Sequence, residues 1–329
     1  MGDHAPHRWL LLIHQIPPKP PYLRTKIGRR LQRLGAVAVK NSVYLLPAGE
    51  QALEDFQWVR REIVAGGGEA VVCDAHFVDG MSDVQIEGLF RAARDEDYHA
   101  LADDVRALAT SLKRRKKLDD AVRAEVGPAL DRARKRLGEI AAVDFFGASG
   151  RETVAGLLFE CEARLGGGPP MERRPALAVA EYRGRTWVTR KGIHIDRMAS
   201  AWLIRRFIDP EARYKFVPAK SYQPSPGELR FDMFDAEFTH EGDRCTLEVL
   251  IERFAIADPG LRAIAEIVHD IDLKDGKFGR PDAEGVARVV AAIALSARDD
   301  EQRLARGSSL FEDLYTLFSR KADTERKVP

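Results

Sequence analysis

The chain is poor in residues that staple or anchor a fold. Its 329 residues include three cysteines, Cys73, Cys161 and Cys245, an odd number at wide spacing with no CxxC pair. That argues against a disulfide framework and against a zinc ribbon, and it fits a reducing cytoplasm. Long apolar runs are missing too: Leu10–Ile13 is far shorter than the roughly 20 residues a helical membrane span needs, and no signal-peptide cleavage pattern follows it. A soluble, cytoplasmic protein with no membrane partner is the expectation. No internal repeat and no helix-turn-helix signature is evident. Neither sign of charge prevails, at a formal net +1, so bulk composition does not announce a nucleic-acid binder.

What is present is unevenly distributed. Residues 1–40 hold Arg8, Lys19, Arg24, Lys26, Arg29, Arg30, Arg33 and Lys40 against one acid, Asp3. A second basic run, Lys113–Lys117, comes later. Such patches are either the footprint of a polyanion partner or solvated helix faces. Trp9–Ile16 reads as a strand, and Pro17, Pro18, Pro20 and Pro21 form an extended connection. Leu23, Ile27, Leu31 and Leu34 then recur at helical spacing, with Gly35 as a stop. Residues 36–39 and 43–46 read as strands, 51–65 as a helix before Gly66–Gly68, and 70–77 as a further strand. The order β-α-β-β-α-β predicts a ferredoxin-like domain over 1–80. From 81 to 168 the apolar spacing of Leu101, Val105, Leu108, Leu112, Leu130, Leu137 and Ile140 predicts helices, a linker or dimerisation segment closed by Gly166–Pro170. Residues 180–320 read as an α/β domain in which helices predominate, so the fold class is α+β.

The most chemistry-bearing stretch is Lys191-Gly-Ile-His194-Ile-Asp196-Arg197, at the start of an amphipathic helix. Arg190, Lys191 and Arg197 there suit a tetrahedral oxyanion, because guanidinium forks and an exposed helix N-terminus both favour one. The alternative is a structural ion pair of Arg197 with Asp196 or Glu241. Two further histidines also stand beside acids, in His240-Glu241 and His269-Asp270. His194, Asp196, His240, Glu241, His269 and Asp270 together form a metal-ligand set suited to Fe, Mn or Zn, unless each histidine is a hydrogen-bonded structural residue. Cys245 precedes a helix from Thr246, a place that lowers a thiol pKa, although buried packing is its ordinary role. In the N-terminal part, Lys26, Arg29, Arg30 and Arg33 share one helical face. With Lys40 they are the candidate DNA contacts, made to phosphates and therefore salt-dependent.

Two sets of segments carry a family resemblance. Trp9–Ile13, the Pro-rich loop, Arg29-Arg30-Leu-Gln-Arg33-Leu-Gly35-Ala and Val43–Pro47 resemble the N-terminal domain of ChrB-type chromate-resistance proteins and, more weakly, the ferredoxin-like domain of PaaX-type repressors. Arg190–Arg197, Phe231–His240 and Val268–Asp272 resemble recurring segments of the ChrB C-terminal half. This resemblance implies a chromate-responsive transcriptional regulator of a chromate-efflux operon. It would bind promoter DNA through the N-terminal domain and sense chromate or a metal in the C-terminal one; a homodimer is expected because regulators on palindromic operators are commonly two-fold and Leu101 to Leu137 offers apolar helix surface for one. The alternative is a metal-dependent enzyme, a chromate reductase or phosphohydrolase-like, built on His194, His240 and His269.

Overall fold

A computed structural model describes residues 9–19, 21–115, 118–166, 176–218 and 222–325. Arg8, Pro20, Lys116, Lys117 and the 167–170 part of the expected linker lie outside them. The chain divides into two compact units: 1–96 with 139–148, and 97–138 with 149–329.

In unit 1, β1 (Trp9–Gln15), α1 (Pro21–Arg33), β2 (Val37–Lys40), β3 (Val43–Pro47), α2 (Glu50–Ala65) and β4 (Glu69–Ala75) follow the expected order. The four strands form one antiparallel sheet in the order β2-β3-β1-β4, the split βαβ arrangement. Leu23, Ile27 and Leu31 of α1, with Phe56, Val59 and Ile63 of α2, bury one face of this sheet against Leu10, Leu12 and Leu46. Each such side chain contributes about 1.5–3 kcal/mol by leaving water. Gly35 ends α1 at φ +73°, and a Cβ there would come 2.7 Å from that of Val143, so both conformation and space demand glycine. The other sheet face, with Trp9, Val37 and Leu45, is covered by Ile86 and Phe90.

Those two residues belong to α3 (Asp83–Arg114), and this explains a departure from the sequence reading. The helical middle forms no body of its own. Helices α3 and α4 (Asp120–Ala142) are each shared between the units, because the first turns of α3 are needed to close the sheet of unit 1. The stripe expected to make a dimer interface is also occupied at home: Leu101, Val105, Leu112 and Leu130 are all buried within the single chain.

Unit 2 continues through α5 (Gly150–Leu165), β5 (Thr186–Arg190), α6 (Ile195–Leu203), β6 (Arg213–Val217), β7 (Glu228–Arg230), α7 (Thr246–Arg253), α8 (Pro259–Asp272), α9 (Ala283–Ser296) and α10 (Asp300–Glu325). Its three strands are parallel, in the order β6-β5-β7. Helix α6 runs on into a π-helical turn, Ile204–Ile208, and packs against α7, α8 and α10. Trp187, Met198, Trp202, Leu250, Ile264, Val268 and Phe311 belong to the resulting core. At Asp258-Pro259 the carboxylate accepts the amides of Gly260 and Leu261, capping α8 as its sequence predicts. Among the described residues no helix is long and apolar enough to cross a membrane.

Candidate functional site

The parallel sheet of unit 2 places the site. Strand β5 is central; the chain leaves it for β6 on one side and returns to β7 on the other. Open α/β sheets place their ligand sites where the strand order reverses, outside the carboxyl ends of the strands. Arg190 is the last residue of β5, Asp196 and Arg197 stand in the first turn of α6, and Asp232 lies just past β7. Two more elements close the group: Asp272 ends α8, and His240 lies in the connection before α7.

The side chains of Asp196, Asp232, His240 and Asp272 converge. Nε2 of His240 lies 3.3 Å from Asp196 Oδ2, 3.4 Å from Asp232 Oδ1 and 3.4 Å from Asp272 Oδ2, and none of the four side chains is more than 8 % exposed. The ring is held from behind, its Nδ1 at 3.2 Å from the Thr153 hydroxyl of α5. Helix α5 can approach this closely because of Gly156, where a Cβ would meet the His240 carbonyl oxygen at 3.1 Å.

The carboxylates are aimed by further donors. Asp196 accepts the backbone amides of Thr246 and Leu247 at 2.8 and 3.0 Å, anchoring the start of α7. Asp232 accepts the Thr246 hydroxyl at 3.1 Å and Arg197 Nε at 3.0 Å. Its backbone is held at φ +45°, an uncommon conformation for a non-glycine residue. Beside them Arg190 pairs with Glu152 at 2.9 Å, both side chains almost wholly buried.

Burial and like charge set the electrostatics. Burial works against protonating His240, but hydrogen bonds to Asp196 and Asp232 and the field of Asp272 carry its pKa well above the usual value. Burial, then the charge of Asp196, drives Asp272 well above the carboxylate range. Burial opposes ionisation of Asp232 as well, yet the His240 hydrogen bond and the Arg197 guanidinium bring its pKa below the ordinary range. Two carboxyls in one small volume are thus driven apart, as expected where charges cannot all be solvated. Such a set can hold a cation on one nitrogen and several oxygens.

The structure divides the residues that the sequence suggested. Of the six metal candidates it brings Asp196 and His240 together. His194 is exposed at the mouth of α6. His269 is buried elsewhere, between Glu248 at 2.7 Å and Asp275 at 3.2 Å, and these partners raise its pKa to about 9 against the opposing effect of burial. Glu241 faces Arg244 and Arg253. Asp270 accepts the amides of Phe278 and Arg280. Among the described residues no group of candidate ligands joins the three histidines, because His194 precedes α6, His240 lies in the connection before α7 and His269 is on α8.

The oxyanion candidates are likewise committed. Arg190 and Arg197 are buried against Glu152 and Asp232, and Lys191 is exposed. Cys245 is not an activated thiol: burial, then the charges of Asp196 and Glu248, raise its pKa well above the ordinary value. Of the basic residues in unit 1, Lys26 and Arg30 both pair with Glu62 of α2, while Arg29, Arg33 and Lys40 are exposed.

Sequence reasoning passed over Asp232, Asp272, Glu152 and Thr153. A signal for Asp272 existed. It follows Ile264 and Val268 at intervals of four on α8, so a carboxylate continues the apolar stripe. For Asp232, Glu152 and Thr153 no local pattern singles out the residue.

Known proteins resemble the chain along most of its length. Residues 24–167 match the family described as Protein ChrB, N-terminal, and residues 187–318 match ChrB, C-terminal domain. Protein ChrB of Cupriavidus metallidurans is 30% identical over 319 residues, covering 94% of this chain and 95% of that protein. No solved structure matches significantly.

Proposed function

The chain belongs to the ChrB family, and from that membership we propose that it is a chromate-responsive transcriptional regulator of a chromate-efflux operon. Unit 1 contacts DNA and unit 2 holds the sensor. The observation that carries the reading is a set of exposed cations on α1 and β2 of unit 1 together with a buried charged centre in unit 2. Exposed cations without buried partners, Arg29, Arg33 and Lys40, lie in unit 1, whereas the buried polar centre lies in unit 2. Exposed cations can neutralise phosphates reversibly, and this supplies affinity that falls with salt. A buried centre of opposed charges is sensitive to an incoming ion, because its guanidiniums pair with carboxylates that an anion could replace. Chromate entering between Arg190 and Arg197 would displace Glu152 and Asp232 from them, and Asp232 is tied through Thr246 to the start of α7.

An electrophoretic mobility shift on the promoter of the chain's own operon, with and without chromate, tests this. A retarded complex that chromate dissolves or strengthens supports the reading. Absence of a complex, or one indifferent to chromate, refutes it. The enzyme alternative needs His194, His240 and His269 at one ion, whereas His194 is exposed and His269 is held between Glu248 and Asp275.

A further inference from the structure

The distances around His240 are too long for good charged hydrogen bonds and have another meaning. A protonated imidazole facing one carboxylate settles at about 2.7–2.9 Å. His269 does so with Glu248, at 2.7 Å. At His240 three oxygens from three separate elements stand at 3.3, 3.4 and 3.4 Å from the same nitrogen. One N–H can be aimed at one of them only. Ligands held about 2.0–2.2 Å from a tetrahedral zinc ion are about 3.3–3.6 Å from one another, the edge of the tetrahedron. The separations from His240 to Asp196 and to Asp272 match that edge. The donor atoms of Asp196, His240 and Asp272 also lie within 4.8 Å of one another.

We propose that Asp196, His240 and Asp272 supply three ligands of a tetrahedral site for one divalent cation of zinc's size and ligand preference, with Asp232 beside them on the His240 ring. The proposal stands on this geometry and does not depend on the regulatory reading.

Charge and surroundings agree with it. Asp196, Asp232, Asp272 and Glu152 are four carboxylates, and Arg190 and Arg197 two guanidiniums. With His240 neutral and all four carboxylates ionised, the buried volume carries two negative charges, which a divalent cation cancels. Glu152 also keeps a buried oxygen, Oε1, without a hydrogen-bond partner. It sits one residue from Thr153 and feels the charges of Asp232 and His240. Arg190 pairs with Glu152 Oε2, and an Oε1 left without a donor is costly to bury. With Nε2 given to the metal, Nδ1–H donates to Thr153 Oγ1, the outer hydrogen bond that fixes a ligating imidazole. The Thr246 amide that already reaches Asp196 Oδ2 uses one lone pair of that oxygen and leaves the other for the ion.

The full-length protein is stripped with a chelator, and Zn2+, Mn2+ and Fe2+ are titrated separately. Co2+ then replaces the preferred ion for visible spectroscopy. The expected result is one equivalent of Zn2+, a tetrahedral cobalt spectrum without a thiolate charge-transfer band, and X-ray absorption showing only nitrogen and oxygen ligands. His240→Gln and Asp272→Asn should each weaken binding at least a hundredfold, while His194→Gln leaves it unchanged. Circular dichroism shows whether each variant is folded; the wild-type spectra stand even if one is not. Absence of saturable binding by wild type, an octahedral cobalt spectrum, sulfur in the first shell, or full affinity in folded His240→Gln would each overturn the site.

Discussion

Replacing Arg190 by methionine isolates one buried charge and asks what it costs. Arg190 Nη2 lies 2.9 Å from Glu152 Oε2, with the two side chains 6 % and 1 % exposed. Removing one partner of such a pair costs about 3–5 kcal/mol, because the survivor remains in a medium that solvates it poorly. At 2–4 °C per kcal/mol for a unit of this size, the melting temperature should fall by roughly 6–20 °C. Glu152 can relieve part of that by taking up a proton. Burial already raises its pKa, and Arg190 is the leading influence lowering it, so the variant's folded pKa rises further. Between the two folded values the variant's native state holds a proton that the wild-type native state has released. Its unfolded state holds none there, so its stability falls with pH at up to about 1.4 kcal/mol per unit. The deficit should therefore widen as pH rises through that window and shrink as pH falls below it. Urea denaturation of both proteins from pH 5 to 8 reads it directly. Glu152→Gln in the same chain should recover much of the loss and remove the slope. A deficit below about 1 kcal/mol at pH 8, or one that does not change with pH, would refute the reasoning.

Other outcomes follow from the same geometry. Arg29→Ala with Arg33→Ala should weaken DNA binding and reduce the slope of log affinity against log salt by about two, whereas a null effect in a filter-binding salt series would remove α1 from the interface. Gly156→Ala drives a methyl toward the His240 carbonyl 3.1 Å away, so thermal melts should show a loss of about 1–3 kcal/mol; an unchanged melt would mean that α5 does not hold that loop. His269 has its pKa raised to about 9 by Asp275 and Glu248. Its stabilising contribution is complete below the unfolded value near 6.5 and fades as pH rises through 9. Wild type should accordingly lose its stability advantage over His269→Gln across that range in denaturant titrations, and a constant advantage would count against the ion pair. Cys161, raised to about 11 by burial, and buried Cys245 should resist thiol reagents in the native state, while half-buried Cys73 reacts first. Mass spectrometry of briefly labelled protein would expose any other order.

The sequence alone determined the local elements of this protein. The strand of Trp9–Gln15, the α1 stripe of Leu23, Ile27 and Leu31, and the Asp258-Pro259 start of α8 are all readable from neighbouring residues, because periodicity and capping are settled within a few positions. The order of those elements was enough for the split βαβ sheet of unit 1, since connection rules leave few alternatives. The tertiary structure alone decided which charged residues meet. Asp196, Asp232, His240 and Asp272 come from four elements spread over 77 positions of chain, and no local pattern says which histidine turns toward which carboxylate. Adjacency misled at Glu241 and Asp270, because consecutive residues point to different sides of a helix or extended segment. Only the packing of α5 on the His240 loop, of α8 on α6, and of both beyond the ends of the parallel strands selects these four. Burying them together then decides their charge, since the same aspartates on a solvated surface would each ionise independently.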